Sequence, residues 1–444
     1  MKTTLPTTSA GWYRRVWAVA WPIMLSNVSV PLVGIVDTAV VGHLPNPTFI
    51  GAVALGAVVF SFIYWGFGFL RMGTTGLVAQ DFGARDFDEL RATLARALLL
   101  AGVLGLLVLI LRNPASEIAF WALEGSAVVE GYAREYYDVR VFGAPATLIN
   151  YAILGFVIGI QNTRAALVLM LILNLTNVLL DVLFVMAFGW GVEGVAAASV
   201  ISEYGAAVFG ILLVRRILLQ LGGRWQSYRL FNRSRMKTLL GVNLNIFLRT
   251  LCLLLAFFHF TSTSARLGDV MLAANAVLMH FQNFMAYSLD GFAHAAEALV
   301  GSAYGAKDRK AFKSAVRAST ICAVTVSIAY CAVYGLFGSS LIAAITGIAD
   351  VRRTAEEFLP WLILTPIVSV WSFMLDGIFI GTTRAAAMRN AMFISLAVFL
   401  GAVWLFLPLW GNHGLWAAII VLMAVRALTL GFWYPRIVRD LPAS

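Results

Sequence analysis

Twelve long apolar runs, separated by short breaks rich in charge, glycine or proline, constrain this chain more than any other feature. A helix of about 20 apolar residues is long enough to cross a bilayer. Only 12% of the residues are charged and 61% are apolar, whereas soluble domains average about 25% and about 45–50%. Because so little charge cannot cover a water-facing surface, soluble and disordered chains are excluded. The sequence therefore predicts an all-α integral membrane protein with twelve transmembrane helices.

The predicted spans of the first half lie near residues 14–42, 48–78, 91–111, 137–160, 165–188 and 192–215. Those of the second half lie near residues 238–264, 270–298, 313–337, 357–381, 387–408 and 413–436. No segment between them reaches the ~50 residues of an independent soluble domain.

The basic residues are distributed unevenly between the two sides of the predicted membrane. If the chain starts inside, 23 of the 32 Lys and Arg residues fall in inside segments and six in outside segments. Arg71, Arg249 and Arg426 remain within spans. Since cytoplasmic loops carry an excess of Lys and Arg, both termini are predicted to be cytoplasmic. The net charge of +10 then reflects membrane topology rather than nucleic-acid binding.

Short sequence matches divide the chain into two similar halves. GARD at residues 83–86 recurs as GAKD at 305–308, TRAA at 163–166 recurs at 383–386, and WG at 190–191 recurs at 410–411. The offsets in residue number are 222, 220 and 220. We predict two pseudo-symmetric six-helix bundles around a central cleft, which suits alternating access. They are an N-terminal lobe of residues 1–215 and a C-terminal lobe of residues 238–444, joined by a cytoplasmic linker of residues 216–237. Because six is even, the repeat is parallel.

Several motifs resemble those of the MATE (multidrug and toxic compound extrusion) family, and more closely those of its bacterial DinF-like branch. They are Trp21-Pro22, GIVDTAVVGH at residues 34–43, the GARD and GAKD turns, Asn177-x-x-x-Asp181, LDGFA at 289–293, Arg384 and Met388-Arg389-Asn390. The resemblance covers essentially the whole chain. It implies a secondary antiporter that exports lipophilic, mostly cationic compounds in exchange for H⁺ or Na⁺.

Six of the 22 acidic residues lie within predicted spans. They are Asp37, Asp181, Glu203, Asp290, Glu297 and Asp376. A charge at the bilayer centre costs at least ~2.5–3.5 kcal/mol, so each of these residues is a functional-site hypothesis. Asp376 and Glu297 rank lowest.

Asp37 follows Pro22 by fifteen residues in the first predicted helix. An interior proline removes a helical hydrogen bond, so Pro22 is predicted to kink this helix. Burial disfavours a charged carboxylate, so Asp37 is predicted to bind and release the coupling proton. The alternative is a carboxyl group that is merely satisfied by neighbouring hydroxyls or amides.

Asn174, Asn177 and Asp181 share one face of the fifth predicted helix. Lipid would leave these polar groups unsatisfied, so the face is predicted to point into the bundle and to join Asp37 in an ion-coupling site. Ser199 and Glu203 on the next helix are candidates to complete it, although Glu203 could instead approach a membrane surface. The alternative role for the asparagines is to hold helices together.

Arg249 and Asp290 are opposite charges in adjacent predicted spans. A buried Arg keeps its proton and needs an acidic partner, so these two residues are predicted to pair as a structural or gating element. His259, His280 and His294 lack metal-ligand spacing, and no metal site is predicted.

Two other functions remain open. A flippase for lipid-linked precursors has a similar two-lobed fold, but it needs basic residues for pyrophosphate. An intramembrane enzyme is disfavoured, since the sequence has no HExxH motif, nucleophile elbow or Walker loop. We therefore expect no enzyme activity and no cofactor beyond the coupling ion, which is H⁺ with Na⁺ as the alternative. The expected partners are small-molecule drugs or toxic cations and the lipid bilayer. The expected form is a monomer in the bacterial inner membrane.

Overall fold

The computed structural model describes residues 6–42, 48–123 and 126–442, which form helices and no strand. The first ten helices are α1 (Ser9–Val41), α2 (Thr48–Gly66), α3 (Phe69–Gly83), α4 (Phe87–Ile110), α5 (Arg112–Leu123), α6 (Ala127–Arg140), α7 (Ala144–Gly159), α8 (Thr163–Asp181), α9 (Val192–Leu221) and α10 (Ser227–Leu230). The last six are α11 (Arg233–Arg266), α12 (Asp269–Gly305), α13 (Arg309–Ile345), α14 (Ala349–Gly381), α15 (Ala385–Trp410) and α16 (Asn412–Arg439). His43, the last residue of the motif at 34–43, lies outside the described residues.

Twelve helical stretches of the described chain are long enough to cross a membrane. Ten of them also contain an 18-residue stretch that is apolar enough to lie in a bilayer. The other two are α1, with 33 residues, and α12, with 37. The predicted all-α membrane fold is therefore confirmed.

The described chain divides into two compact units. The first, called here the N-terminal unit, contains residues 25–240. The second, called the C-terminal unit, contains residues 6–24 together with residues 241–442. The predicted boundaries differ at the start of the chain, because the first part of α1 packs with the C-terminal helices. In that unit, the Trp17 ring meets the Phe292 ring edge to face at 5.1 Å. Pro22 lies two residues before the division within α1, and a kink at this proline stays a prediction.

The turns between helices recur in the second half 222 residues later, which is also the distance in sequence between GARD and GAKD. Arg85 and Lys307 have φ values of 57° and 56°, and Gln161 and Thr383 have values of 61° and 55°. These are the non-glycine residues with positive φ in the described chain, and they form two matched pairs. Such φ values are uncommon for residues other than glycine, so the same turns have been built twice.

The helix crossings repeat in the same register. In α7, a Cβ atom placed on Gly155 or Gly159 would lie less than 3.0 Å from a carbonyl oxygen of α3, that of Arg71 or Thr75. In α14, a Cβ on Gly377 or Gly381 would lie equally close to the carbonyl oxygens of Ala293 and Glu297 in α12. The two glycines and the two carbonyl groups of the first half each lie 222 residues before their counterparts in the second half, as the turn residues do. Each half is therefore built around one Gly-x-x-x-Gly crossing, in which small residues let two backbones approach.

This register corrects one of the sequence matches. The helices α8 and α15 begin at Thr163 and Ala385, which correspond at the offset of the glycine crossings. The two TRAA segments begin at Thr163 and Thr383, so their match lies two residues out of structural register. The third match, of WG with WG, is correct as it stands, because Gly191 and Gly411 each precede the first residue of a helix, α9 or α16.

The predicted loop between the third and fourth spans is helical. It contains α5 and most of α6, and the fourth membrane stretch begins at residue 127 instead of 137. Three of its charged residues are paired: Arg134 contacts Glu130 at 3.0 Å and Glu117 at 2.9 Å. Because an ion pair lets charged residues lie within a helix, the helix begins earlier than hydropathy alone indicates.

We predict that Gly377→Ala and Gly155→Ala destabilise the protein by about 1–3 kcal/mol, since the added methyl group forces two backbones apart. Gly401→Ala is the matched control in α15, where a Cβ meets nothing within 4 Å. Thermal unfolding in detergent measures the difference. Equal midpoints for Gly377→Ala and Gly401→Ala would contradict the close crossing.

Candidate functional site

Asp37 and Asp181 face each other in the N-terminal unit. Asp37 lies one turn before the end of α1, and Asp181 is the last residue of α8. A π-helical segment, Val182–Ala187, begins directly after Asp181. Such wider turns occur frequently at functional sites.

Three of the four oxygen atoms of these two carboxyl groups are buried without a hydrogen-bond partner among the described residues. Asp181 has no exposed surface. Its two carboxylate oxygens and Oδ1 of Asp37 are buried without a hydrogen-bond donor among the described residues. The two side chains interact with each other. Two adjacent buried carboxylates repel each other when both are ionised, so one shared proton relieves both the repulsion and the cost of burial.

The polar face of α8 is buried within the same unit. The side-chain amide of Asn174 donates to Ser29 Oγ in α1 at 2.7 Å. That of Asn177 donates to Ser199 Oγ in α9 at 3.3 Å. The structure therefore brings Asn174, Asn177, Asp181 and Ser199 together with α1. The two asparagines tie α8 to the helices on either side of the carboxyl pair.

Glu203 forms a buried ion pair with Arg140, the last residue of α6. Arg140 Nη1 lies 2.8 Å from Glu203 Oε2, and Nη2 lies 2.5 Å from Oε1. The guanidinium group also lies 5.3 Å from the ring centres of Phe60 and Tyr64. Glu203 is only 5% exposed, so its carboxylate lies inside the protein.

The chain leaves room for this ion pair at Gly143. A Cβ atom at Gly143 would lie less than 3.0 Å from Glu203 Oε2 and from Arg140 Nη1. The side-chain amide of Asn150 donates to the Glu203 carbonyl oxygen at 2.9 Å, which fixes α9 against α7. Arg140 is therefore positioned directly by α2 and α9, and α7 contributes by holding Glu203 in place.

The charge of Arg140 acts on both Asp37 and Asp181. Because Glu203 compensates most of that charge, Arg140 does not force the carboxyl pair to stay ionised. Sequence reasoning missed Arg140 because it was counted among the six basic residues of the outside segments, although the predicted span at 137–160 contains it. The sequence did contain a signal. Arg140 follows an amphipathic segment and precedes an apolar one. An Arg in that position can be buried when a Glu within a predicted span is available to pair with it.

The C-terminal unit contains a different charge cluster. Asp376 in α14 contacts both the Arg249 guanidinium of α11 and the Arg426 guanidinium of α16. All three side chains are less than a tenth exposed. The charge of Asp290 in α12 acts on both arginines. One helix turn further, His294 Nε2 lies 3.9 Å from Glu297 Oε1.

The predicted pairing of Arg249 with Asp290 stays a prediction, and the charge of Asp290 acts on Arg249 within this cluster. Asp376, which the sequence analysis ranked low, contacts Arg249 directly. Hydropathy and spacing cannot reveal which of several acids on different helices an Arg meets. No group of three or more His, Cys, Asp or Glu side chains in the described part of the chain could hold a metal ion.

Residues 22–183 and 246–405 match the MatE family model, which is well over half of the chain. The chain belongs to the MatE family. It is 42% identical to the DNA damage-inducible protein F of Escherichia coli strain K12, over 94% of this chain and 91% of that protein. It is 24% identical to a probable multidrug resistance protein NorM of Bacillus cereus, over 92% of both chains. The resemblance to the DinF-like branch is therefore confirmed.

A solved MOP superfamily transporter from Pyrococcus furiosus has the same fold as this MatE chain. The TM-score is 0.87 over 98% of this chain and 97% of the other, at 21% sequence identity. This likeness confirms the predicted two-lobed fold. Together with ten helices of the described chain that are long and apolar enough to cross a membrane, membership of the MatE family makes this chain a multi-pass membrane protein.

We predict that Asp376→Asn destabilises this MatE protein by about 3–5 kcal/mol, because two buried guanidinium groups lose their direct partner. The matched control is Asp350→Asn, whose exposed pair with Arg353 contributes about 0–1 kcal/mol. Unfolding in detergent compares the two variants. If both lose equally little stability, Asp376 does not hold the cluster together.

Proposed function

We propose that this MatE chain is a secondary antiporter that exports lipophilic, mostly cationic small molecules in exchange for protons, by alternating access. Asp37 and Asp181 are the ion-coupling pair, and Asn177 orients the helix that carries Asp181. The small-molecule substrates follow from the named relatives, which include a multidrug resistance protein. A cationic substrate suits a site whose uncompensated groups are carboxyls.

The observation that carries this proposal is the difference between the buried charges of the N-terminal unit. Arg140 and Glu203 neutralise each other through two hydrogen bonds. Asp37 and Asp181 instead retain buried oxygens without donors. A carboxyl pair with no fixed counter-charge can change its proton content at small cost, which a coupling site requires.

A proton and a cationic substrate then compete for the same negative charge. When the pair is ionised, it attracts the cation; when a proton enters, that attraction is lost and the substrate leaves. Linkage requires the reverse effect as well, so substrate binding releases a proton. The π-helical segment after Asp181 and the proline-containing α1 are the two elements whose conformation this charge can bias.

Sodium is the second candidate ion. Hard cations bind several oxygen ligands, and carboxylate oxygens without hydrogen-bond donors can serve Na⁺ as well as H⁺. A flippase for lipid-linked precursors would instead use buried basic groups, yet Asp376 already engages Arg249 and Arg426. This arrangement favours antiport over lipid flipping. A monomer in a bacterial inner membrane, with both termini cytoplasmic, completes the proposal.

We predict that Asp37→Asn folds normally but loses gradient-driven export, because the amide keeps the shape of the side chain and cannot titrate. Proteoliposomes with an imposed pH gradient or an imposed Na⁺ gradient, and a cationic dye as substrate, measure this loss. Asp138→Asn, on the exposed side of α6, is the matched control. Full export by Asp37→Asn in either gradient would assign Asp37 a structural role.

We further predict that Glu203→Gln moves the pH optimum of transport to lower pH, by about one unit or more. Without Glu203 the full positive charge of Arg140 stabilises the ionised carboxyl pair, so protonation needs a higher proton concentration. Glu130→Gln is the matched control. It removes the carboxylate partner of Arg134, another arginine of α6, the helix that ends at Arg140. An unchanged pH profile for Glu203→Gln would show that Arg140 does not influence the pair.

A further inference from the structure

The segment that joins the two halves carries an unbalanced positive charge. Residues 215–237, called here the basic segment, contain seven Lys and Arg residues and no Asp or Glu. Arg229 and Arg235 contact acidic residues of α4 and its preceding turn. The other five basic side chains are exposed and have no ion-pair partner within the described ranges. They are Arg215, Arg216, Arg224, Arg233 and Lys237.

One side of the basic segment is fixed to the N-terminal unit. Arg229 Nη1 donates to both carboxylate oxygens of Asp86 at 2.9 Å. Asp88 accepts from the Gln226 side chain at 2.9 Å and from the Arg224 backbone N–H at 2.6 Å. Arg91 in α4 donates to the Gly222 carbonyl oxygen at 3.0 Å.

These contacts persist at neutral pH. Desolvation acts against ionisation of Asp86, but the backbone N–H of Glu89 and the Arg229 guanidinium outweigh it and lower the pKa of Asp86 from its ordinary value. The carboxylate therefore stays ionised at neutral pH and loses its pairing only in acid. The orientation of the segment is fixed under the conditions in which the protein works.

The basic segment also exposes aromatic rings. Tyr228 in the short helix α10 and Phe231 directly after it are 71% and 72% exposed. Trp225 is 60% exposed, and its ring lies 5.4 Å from the Arg91 guanidinium of α4. Large exposed rings are costly in water, and together with exposed Arg and Lys they are typical of a chain that lies at the headgroup level of a bilayer.

We propose that the basic segment is a docking surface for anionic phospholipid headgroups. The rings of Tyr228 and Phe231 enter the interface, and the five unpaired cations lie against lipid phosphates. The segment contains the end of one membrane-length helix, α9, and the start of another, α11, which keeps it next to the bilayer surface. Anionic lipid then holds the connection between the halves against the N-terminal unit. This inference needs only a membrane, and it does not depend on the coupling ion or the substrate.

The test uses the full-length protein in nanodiscs of zwitterionic phosphatidylcholine, with or without phosphatidylglycerol. We expect phosphatidylglycerol to raise the unfolding midpoint by several degrees and to slow hydrogen exchange at residues 222–232. High salt should reverse part of both effects, because the contact is electrostatic. Inorganic phosphate added to the zwitterionic nanodiscs should reproduce neither effect.

Two variants are compared with a matched control. Arg224→Gln/Arg233→Gln and Phe231→Ser should each lose most of the phosphatidylglycerol effect, while their midpoints in zwitterionic nanodiscs stay close to the wild type. Arg266→Gln/Arg353→Gln removes two basic side chains from other exposed positions and should keep the whole effect.

Three results would overturn the proposal. The first is equal protection by phosphatidylglycerol in the wild type and in Arg224→Gln/Arg233→Gln. The second is equal protection by inorganic phosphate, which would make the segment a site for free anions. The third is no response of residues 222–232 to any lipid. None of these results would affect the antiport proposal, which rests on Asp37 and Asp181.

Discussion

The cost of placing charge in a bilayer governs the structure. A charged side chain among membrane helices is tolerated when the protein itself supplies the opposite charge. Arg140 and Glu203 meet that condition in one unit, and Asp376 meets it for Arg249 and Arg426 in the other. Asp37 and Asp181 do not, since buried oxygens of both lack donors. Charges that hold helices together are thus separated from the carboxyl pair that we propose as the coupling site.

The two halves share a scaffold but not a chemistry. Both place a Gly-x-x-x-Gly pair of one helix against the backbone of another, at equivalent positions of the repeat. In the register of these crossings, His259 occupies the position equivalent to Asp37, and Glu297 occupies that of Thr75. The duplicated backbone crossings tolerate such exchanges because they depend on glycines and carbonyl groups alone. The carboxyl pair could therefore be confined to one lobe without loss of the common fold.

Much of the fold was predictable from the sequence, because a bilayer permits few alternatives. Apolar runs and the GARD and GAKD turns were sufficient for the helices and the repeat, and the family motifs pointed to Asp37, Asn177 and Asp181. The TRAA match was misleading by two residues, since short motifs of Ala and Arg recur easily in so biased a composition. The glycine crossings give the true register, but glycine is too common here for that pattern to be recognised without the structure.

The partners of buried charges could not be predicted. Arg140 looked like a loop residue because its helix is rich in charge, and Asp376 looked unimportant because nothing in the sequence brings α11, α14 and α16 together. Both are matters of tertiary contact between helices far apart in the chain. Sequence reasoning identified which helix faces are polar, such as that of Asn174, Asn177 and Asp181. It could not decide which polar groups would be neutralised and which would be left to bind an ion.

The central claim is that Asp37 and Asp181 share a proton within the N-terminal unit. Infrared difference spectroscopy of the purified protein across a pH titration observes protonated carboxyl groups directly. The account predicts a protonated-carboxyl band near neutral pH that disappears in alkaline solution and is missing from Asp37→Asn and Asp181→Asn. It also predicts that a cationic substrate removes the band. A spectrum in which the wild type and both variants have the same protonated-carboxyl bands at every pH would contradict the account.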